Sequence, residues 1–101
     1  MSRRTDLDAK LRELLGSTNV YYQPPESIKM KYPAIKYSRT DIRGTYANNS
    51  TYLQNDCYEL IVIDPKPDNP VIKELLRLPS CRFNRHYTAD NLNHDVLTIF
   101  Y

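Results

Sequence analysis

Few residues of this 101-residue chain are of types that carry chemistry. Two cysteines, Cys57 and Cys81, and two histidines, His86 and His94, could together supply the four ligands of a zinc site. Their spacing matches no zinc finger or ribbon, because each cysteine stands alone and the histidines are eight residues apart. The sequence therefore predicts no metal site, and both cysteines are expected to be reduced thiols on strands.

Nucleophilic catalysis is not predicted either. Cys81 and His86 form a candidate nucleophile–base pair, but the sequence indicates no third group to orient the histidine and no oxyanion donor. The chain has only two glycines, Gly16 and Gly44, so a glycine-rich loop that binds phosphates is excluded.

Carboxylates, which could act as general acids or bases, are scattered singly apart from two close pairs. Asp6 and Asp8 lie where a helix begins, and Asp90 and Asp95 lie in a polar turn. Capping and turn roles explain such positions first. We therefore predict no catalytic residues, no cofactor and no enzymatic activity.

Basic residues are concentrated in one segment, although the net charge is only +2. The segment 28–43 has one acidic residue, Asp41, and five basic ones: Lys29, Lys31, Lys36, Arg39 and Arg43. Such a cluster is either a solvated face or a face that meets DNA or an acidic partner. The near balance of fourteen basic and twelve acidic residues is not typical of a dedicated nucleic-acid binder.

The aromatic residues are mostly tyrosine, with nine tyrosines, two phenylalanines and no tryptophan. Tyrosine suits the half-buried face of a strand, and it is also enriched at protein–protein interfaces. For nine together, an interface is the better explanation.

The N-terminal residues and the cysteine content indicate a compartment. Residues 1–6 run straight into a charged amphipathic stretch, so no signal peptide is expected. Two cysteines do not make a disulfide framework, and no segment has the ~18 consecutive apolar residues of a membrane span. We expect a soluble, cytosolic protein with no membrane partner.

The first predicted element is an amphipathic helix. Thr5 or Asp6 can cap it, and Gly16 is placed to end it. Its apolar stripe consists of Leu7, Leu11, Leu14 and Leu15.

Extended segments follow. The prolines of Val20–Pro25 prevent a helix or a central strand there. Two strands are predicted at Pro33–Ser38, with Ile35 and Tyr37 on one face, and more weakly at Ile42–Tyr46. Ala47–Ser50 reads as a turn.

The clearest strand is Cys57–Asp64, whose nearly continuous apolar character indicates a central position. A second helix begins after the proline-rich segment 65–70, with Asp68 or Asn69 as its N-cap and Pro70 as its first residue. Its apolar face is Val71, Ile72, Leu75, Leu76 and Leu78, and Pro79 ends it.

The C-terminal part is predicted to be a hairpin. Cys81–Tyr87 alternates as a half-buried strand, Thr88–Asp95 is a polar turn, and Val96–Tyr101 is the last strand. The segment Asp90–Asp95 is either a simple connection or an exposed tip that contacts a neighbouring subunit. The order helix, strands, helix, strands predicts one α+β domain over residues 1–101, a mostly antiparallel sheet flanked by two helices.

Four segments of the chain together resemble one family of phage proteins. They are Asn19–Ser27, Met30–Ile35, Leu75–Tyr87 and Asp90–Asp95. In these segments the chain resembles the tail-terminator proteins, also described as tail-completion or head–tail joining proteins, of long-tailed siphophages. The likeness extends from Leu11 to Tyr101 and contains no catalytic motif.

The resemblance implies a structural virion protein assembled in the host cytoplasm. It implies a ring, usually of six subunits, that caps the tail tube and docks to the head connector while DNA passes through its lumen. The same features fit another ring component of the neck, a head-closure or adaptor protein. A third hypothesis, from the basic segment and the tyrosines, is a small nucleic-acid-binding module.

Overall fold

The computed structural model describes residues 3–25, 27–44, 54–78 and 80–101. The elements follow in the order α1 (Arg3–Leu15), β1 (Val20–Tyr22), β2 (Ala34–Gly44), β3 (Gln54–Asp64), α2 (Val71–Leu76), β4 (Cys81–Ala89) and β5 (Leu92–Phe100). The five strands form one sheet in the order β1-β2-β3-β5-β4. All neighbours are antiparallel except the pair β1–β2. The predicted α+β fold class is confirmed.

Helix α1 packs its leucine stripe on the sheet. Leu7 and Leu11 are fully buried, and Leu14 and Leu15 pack against the same core. Burying one such leucine side chain contributes about 1.5–3 kcal/mol, which holds in place a helix that would be marginal alone.

The end of α1 is as predicted, but its start is not. Gly16 has a φ of 74°, a conformation that residues with side chains rarely adopt, and its N–H donates to the Arg12 carbonyl at 2.9 Å. The helix begins at Arg3, so the predicted cap at Thr5 or Asp6 is wrong. Both residues lie inside the helix.

The two strands predicted at 33–38 and 42–46 form one strand, β2. The pairing register with β3 shifts at Thr40, which is the extra residue of a β-bulge. The Thr40 hydroxyl donates to the Cys57 carbonyl at 3.2 Å. The strand therefore continues through a polar stretch that looked like an interruption. Residues 45–50, including the predicted turn, lie outside the described residues.

The central strand β3 separates two faces of the sheet. We call the side that carries the core the helix face; its buried residues include Ile35, Tyr37, Tyr58, Leu60, Val62, Leu97 and Ile99. The opposite side, with Lys36, Ile61, His94 and Val96, is the outer face. The predictions that Cys57–Asp64 is central and that Ile35 and Tyr37 share a face are confirmed.

The loop before α2 is held by side-chain amides and a carboxylate. Asp64 Oδ2 accepts a hydrogen bond from Asn69 Nδ2 at 2.7 Å, and its Oδ1 accepts from Lys66 N at 2.8 Å. Asn69 Oδ1 accepts from Val71 N at 2.9 Å, which ties the loop to the first helical residue. The N-cap position itself is occupied by Pro70, so the predicted N-cap at Asp68 or Asn69 and the predicted helix start at Pro70 are wrong by one residue. Pro70 stands immediately before the first helical residue.

Helix α2 buries only part of its predicted apolar face. Val71 and Leu75 are buried, and Ile72 and Leu78 are partly buried against the core. Leu76 is 41% exposed, so its predicted place on the buried face is wrong. Pro79, predicted to end the helix, lies outside the described residues.

The C-terminal hairpin has a shorter turn than predicted. Only Asp90 and Asn91 separate β4 from β5, so most of the predicted polar turn at 88–95 is strand. The strand predicted at 81–87 exists and extends to Ala89, but it is exposed rather than half-buried. The alternating pattern predicted which residues of β4 share a face. It could not indicate that both faces of β4 are exposed.

Candidate functional site

The turn of the β4–β5 hairpin positions the side chains of the candidate site. Asp90 and Asn91 have φ values of 53° and 62°, typical of the two-residue turn that matches the twist of paired strands. Both residue types tolerate this left-handed conformation. The turn fixes the register, so residues equidistant from it, such as His86 and Asp95, face each other.

Strand β4 is a free edge of the sheet. Its inner side pairs with β5, and no strand in the described ranges pairs with its outward side. Residues 82–88 are all exposed, and among them Phe83 and Tyr87 are 45% and 37% exposed. Phe83 lies opposite Leu97 on the helix face, whereas Tyr87 lies opposite His94 on the outer face. We call residues 82–88 the β4 edge.

The β4 edge is basic. Strand β4 contains Arg82, Arg85 and His86 and no acidic residue. Arg82 lies opposite Thr98 and Arg85 lies opposite Val96, so both arginines belong to the outer face.

An aromatic stack lies beside these arginines on the outer face. The rings of Tyr87 and His94 are 4.6 Å apart and nearly parallel, at 10°. The Arg85 guanidinium lies 5.6 Å from the centre of the Tyr87 ring, within cation–π range. His94 Nδ1 donates to the Leu92 carbonyl at 3.1 Å, which fixes the orientation of its ring.

On the helix face, the hairpin borders a cleft of about 540 Å³. Its walls are the loop 67–70, Ile72 and Lys73 of α2, and the pair His86–Asp95. His86 Nδ1 donates to Asp95 Oδ1 at 2.8 Å; the His86 side chain is 44% accessible and that of Asp95 only 13%. This pair ties the edge strand to β5.

The pair His86–Asp95 has the geometry of a base with its orienting acid. The described lining of the cleft contains no serine, threonine or cysteine that such a base could activate. Among the described residues of the cleft, no nucleophile therefore accompanies the pair. Sequence reasoning missed this pair, which the two-residue turn would have indicated.

The residues weighed for zinc and for catalysis are distributed over both faces of the sheet. Cys57 and His94 belong to the outer face, and Cys81 and His86 belong to the helix face. Within the described ranges, no three Cys, His, Asp or Glu side chains are grouped so that they could hold a metal ion.

Cys81 and His86 are also too far apart to act as a nucleophile and its base. Five residues along a strand span roughly 15 Å. Burial raises the pKa of the Cys81 thiol, which disfavours the reactive thiolate. The absence of metal and of catalysis remains a prediction.

The predicted basic segment does not form one face. Lys29 and Lys31 are exposed in the loop before β2. Lys36 is on the outer face and Arg39, opposite Tyr58, is on the helix face. Of the fifth residue, Arg43, only the backbone is described. A continuous DNA-binding surface would need these charges on one face of the molecule. Their separation therefore favours the interpretation that they are solvated surface charges.

The tyrosine content has a largely internal explanation. Four tyrosines lie in the core or pack against it: Tyr22, Tyr37, Tyr58 and Tyr101. Tyr21 is partly exposed, and its hydroxyl accepts a hydrogen bond from Lys31 N at 3.1 Å. Tyr32 and Tyr87 are exposed, and Tyr46 and Tyr52 lie outside the described residues. The interface interpretation therefore depends on individual residues, Tyr87 above all.

The chain matches no protein-family model and no curated protein. In the parts of the chain that the structure describes, no helix has the length and apolar character needed to cross a membrane.

Proposed function

We propose that the protein is a structural virion protein that forms a ring on the end of a phage tail tube and joins the tube to the head connector. The observation that carries the proposal is the β4 edge, the exposed part of a nine-residue edge strand, which presents Phe83 and Tyr87 on opposite faces. Exposed aromatic side chains on a rigid sheet edge are typical of surfaces that bind another protein.

A second surface supports the proposal. Within the described ranges, residues 42–44 and 54–56 pair only with each other, because β5 reaches β3 from Cys57 onward and β1 pairs with β2 only at 35–37. This two-stranded extension continues roughly 10 Å past the other strands. A ring subunit has to contact its neighbours and also its axial partners, and the two surfaces lie at different sides of the molecule.

The proposed partners are copies of the same chain, six in the ring, together with the tube protein and the head connector. Subunits of a closed ring contact each other through two different surfaces, head to tail. DNA passes through the lumen and is held weakly and without sequence preference. The order of elements, helix, strands, helix, strands, is the order that the resemblance implies.

Native mass spectrometry of the protein, alone and after incubation with cognate tail tubes, tests the ring. We expect a closed oligomer at least in the presence of tubes. A monomer in free solution does not contradict the proposal, because some rings assemble only on their partner. A protein that stays monomeric at high concentration and also fails to bind tube ends contradicts it.

Two alternatives remain. A head-closure or adaptor ring would use the same surfaces and would bind the connector but not the tube. A nucleic-acid-binding module is favoured by one observation, that Arg82 and Arg85 share the outer face with Tyr87. DNA affinity at moderate salt separates this alternative from the others, because tight and sequence-selective binding is expected only for the module.

A further inference from the structure

We propose that the β4 edge accepts an extended acidic segment of a different protein, which pairs with β4 as a sixth strand of the sheet. The proposed function leaves the chemistry of this partner segment open. Pairing of such a segment depends on β4 alone, so it holds whether or not the protein caps a phage tail.

The backbone of β4 offers a template for an added strand. A pairing irregularity lies between Phe83 and Arg85, where Asn84 Nδ2 donates to the Thr98 hydroxyl at 2.6 Å. Beyond it, residues 85–89 stay in unbroken register with β5 up to the turn. Five residues are a typical strand length, and an edge strand presents unpaired N–H and C=O groups on its outward side. An extended segment satisfies these groups by β-augmentation.

The charge of the edge selects the partner. Arg82 and Arg85 lie on the outer face of β4, and β4 has no acidic residue, so an added strand with glutamate or aspartate at alternate positions meets complementary charge on that face. Opposite charges across a strand pair stabilise the pairing, and like charges destabilise it. Tyr87 adds an apolar contact on the same face as Arg85.

A second copy of this chain does not fit as the occupant. Two β4 strands paired edge to edge would bring basic residues into apposition. The most acidic strand is β3, with Asp56, Glu59 and Asp64, and it is paired on both sides from Cys57 to Ile63, so that of these three Asp56 and Asp64, at opposite ends of the strand, lie where one side of β3 is unpaired. Among the described strands, no free edge of a copy therefore carries more than one acidic residue, and the segment comes from a different protein.

A protein segment also fits better than nucleic acid. The Tyr87 ring is already stacked on His94 and has Arg85 beside it, so it is not an open platform for a base. A phosphate backbone does not supply the alternating donors and acceptors that the edge of a sheet requires.

The test uses the full chain and labelled synthetic peptides of alternating glutamate and valine, followed by fluorescence anisotropy at low and at moderate salt. One control peptide has lysine in place of glutamate. A second keeps the glutamates but is N-methylated at every residue, which removes the donors of both edges without changing the charge. The third control ligand is single-stranded DNA with the same net charge as the glutamate peptide.

We expect the glutamate peptide to bind about tenfold or more tightly than either control peptide and more tightly than the DNA. Arg85→Glu should weaken binding about tenfold, whereas Lys29→Glu, the same charge change in an exposed loop, should leave it within about twofold. Equal binding of the N-methylated peptide would mean simple charge attraction and would overturn the proposal. Stronger binding of the DNA, or no binding of the glutamate peptide, would overturn it as well. A protein that binds this peptide but never caps tubes would lose only the proposed function.

Discussion

Tyr37 Oη donates a 2.5 Å hydrogen bond to Asp8 Oδ2 and so joins strand β2 to helix α1. Arg12 Nε donates to the other oxygen of Asp8 at 2.6 Å, and Arg4 Nη1 donates to Tyr37 Oη at 3.2 Å. The Arg4 guanidinium also lies 4.5 Å from the centre of the Tyr22 ring. This polar cluster adds directional contacts between the helix and the sheet to the apolar contacts of the core.

The cluster shifts the titration of its members in opposite directions. Partial burial disfavours ionised Asp8, but the hydrogen bonds from Tyr37 and Arg12 and the charges of Arg12 and Arg4 outweigh it and lower the pKa of Asp8. Burial, followed by the hydrogen bond to Asp8, raises the pKa of Tyr37 far above its ordinary value.

Removing one hydroxyl tests the cluster. Tyr37→Phe should lower the free energy of unfolding by about 1–3 kcal/mol, because Asp8 loses a partner in a partly buried position. Urea unfolding followed by circular dichroism measures the change. Tyr32→Phe is the matched control, since Tyr32 is 39% exposed, and should change stability by less than about 0.5 kcal/mol. Equal effects of the two variants would contradict the assigned role of Tyr37.

The lowered pKa of Asp8 predicts a specific acid sensitivity. A carboxyl whose pKa is lower in the folded than in the unfolded state stabilises the fold above its unfolded pKa. This contribution should be lost as the pH falls below about 3.8, the ordinary value. Asp8→Asn lacks the titration, so the stability gap between wild type and variant should be constant near neutral pH and shrink under acid. A gap that persists unchanged to pH 2 would exclude the mechanism.

The raised pKa of Tyr37 acts at the other end of the pH range. The contribution of its neutral hydroxyl should be complete below pH 10, its ordinary pKa, and decline above it. Each protein is compared with its own stability at neutral pH. On that scale, wild type should begin to unfold at a lower alkaline pH than Tyr37→Phe. If the stability of the two proteins fell in parallel at alkaline pH, the contribution assigned to the Tyr37 hydroxyl would be contradicted.

Both cysteines should be dispensable. Cys57 is buried on the outer face and Cys81 is partly buried at the start of β4, and neither forms a disulfide. The double variant Cys57→Ala, Cys81→Ala should fold and assemble with a stability loss of about 1–3 kcal/mol from small cavities. Stoichiometric zinc in a metal analysis of the wild-type protein, or an unfolded double variant, would be evidence against this prediction.

The separation of the basic residues predicts weak DNA binding. Lys36 and Arg39 lie on opposite faces of β2, so they cannot follow one phosphate backbone together. Affinity for duplex DNA should be low, insensitive to sequence and lost at moderate salt, and Lys36→Ala should leave tail length unchanged. Filter binding over a salt series measures this; tight or sequence-selective binding would favour the nucleic-acid module.

The regular elements could be predicted because their apolar residues repeat with the period of the element. Leu7 and Leu11 indicated α1, the apolar run of β3 indicated a central strand, and Gly16 fitted only a helix end. The sequence did not predict the bulge at Thr40, because no particular residue pattern marks a β-bulge. Whether other elements bury an alternating strand depends on segments far away in the sequence. The exposure of β4 could therefore not be predicted from the residues of β4 alone.

The candidate site was predictable only in part. The sequence identified His86 as a residue of interest but not its partner Asp95, because that pairing requires the register set by Asp90 and Asn91. An Asp-Asn pair without glycine is a weak turn signal, so a longer turn was predicted. Alternation along β4 predicts a half-buried strand, whereas the exposure of Phe83 follows from the position of β4 at the edge of the sheet, which is a property of strand order.

Tube length measured by negative-stain imaging tests the central claim most directly. Cognate tube protein is assembled with wild-type protein, with Phe83→Ser, or with Ile28→Ser, whose substituted residue is similarly exposed but lies in a loop away from β4. We predict a ring at one end of each tube and an end to growth with wild type and Ile28→Ser, and longer, uncapped tubes with Phe83→Ser. Tubes that keep growing without a terminal ring in the presence of excess wild-type protein would contradict the account.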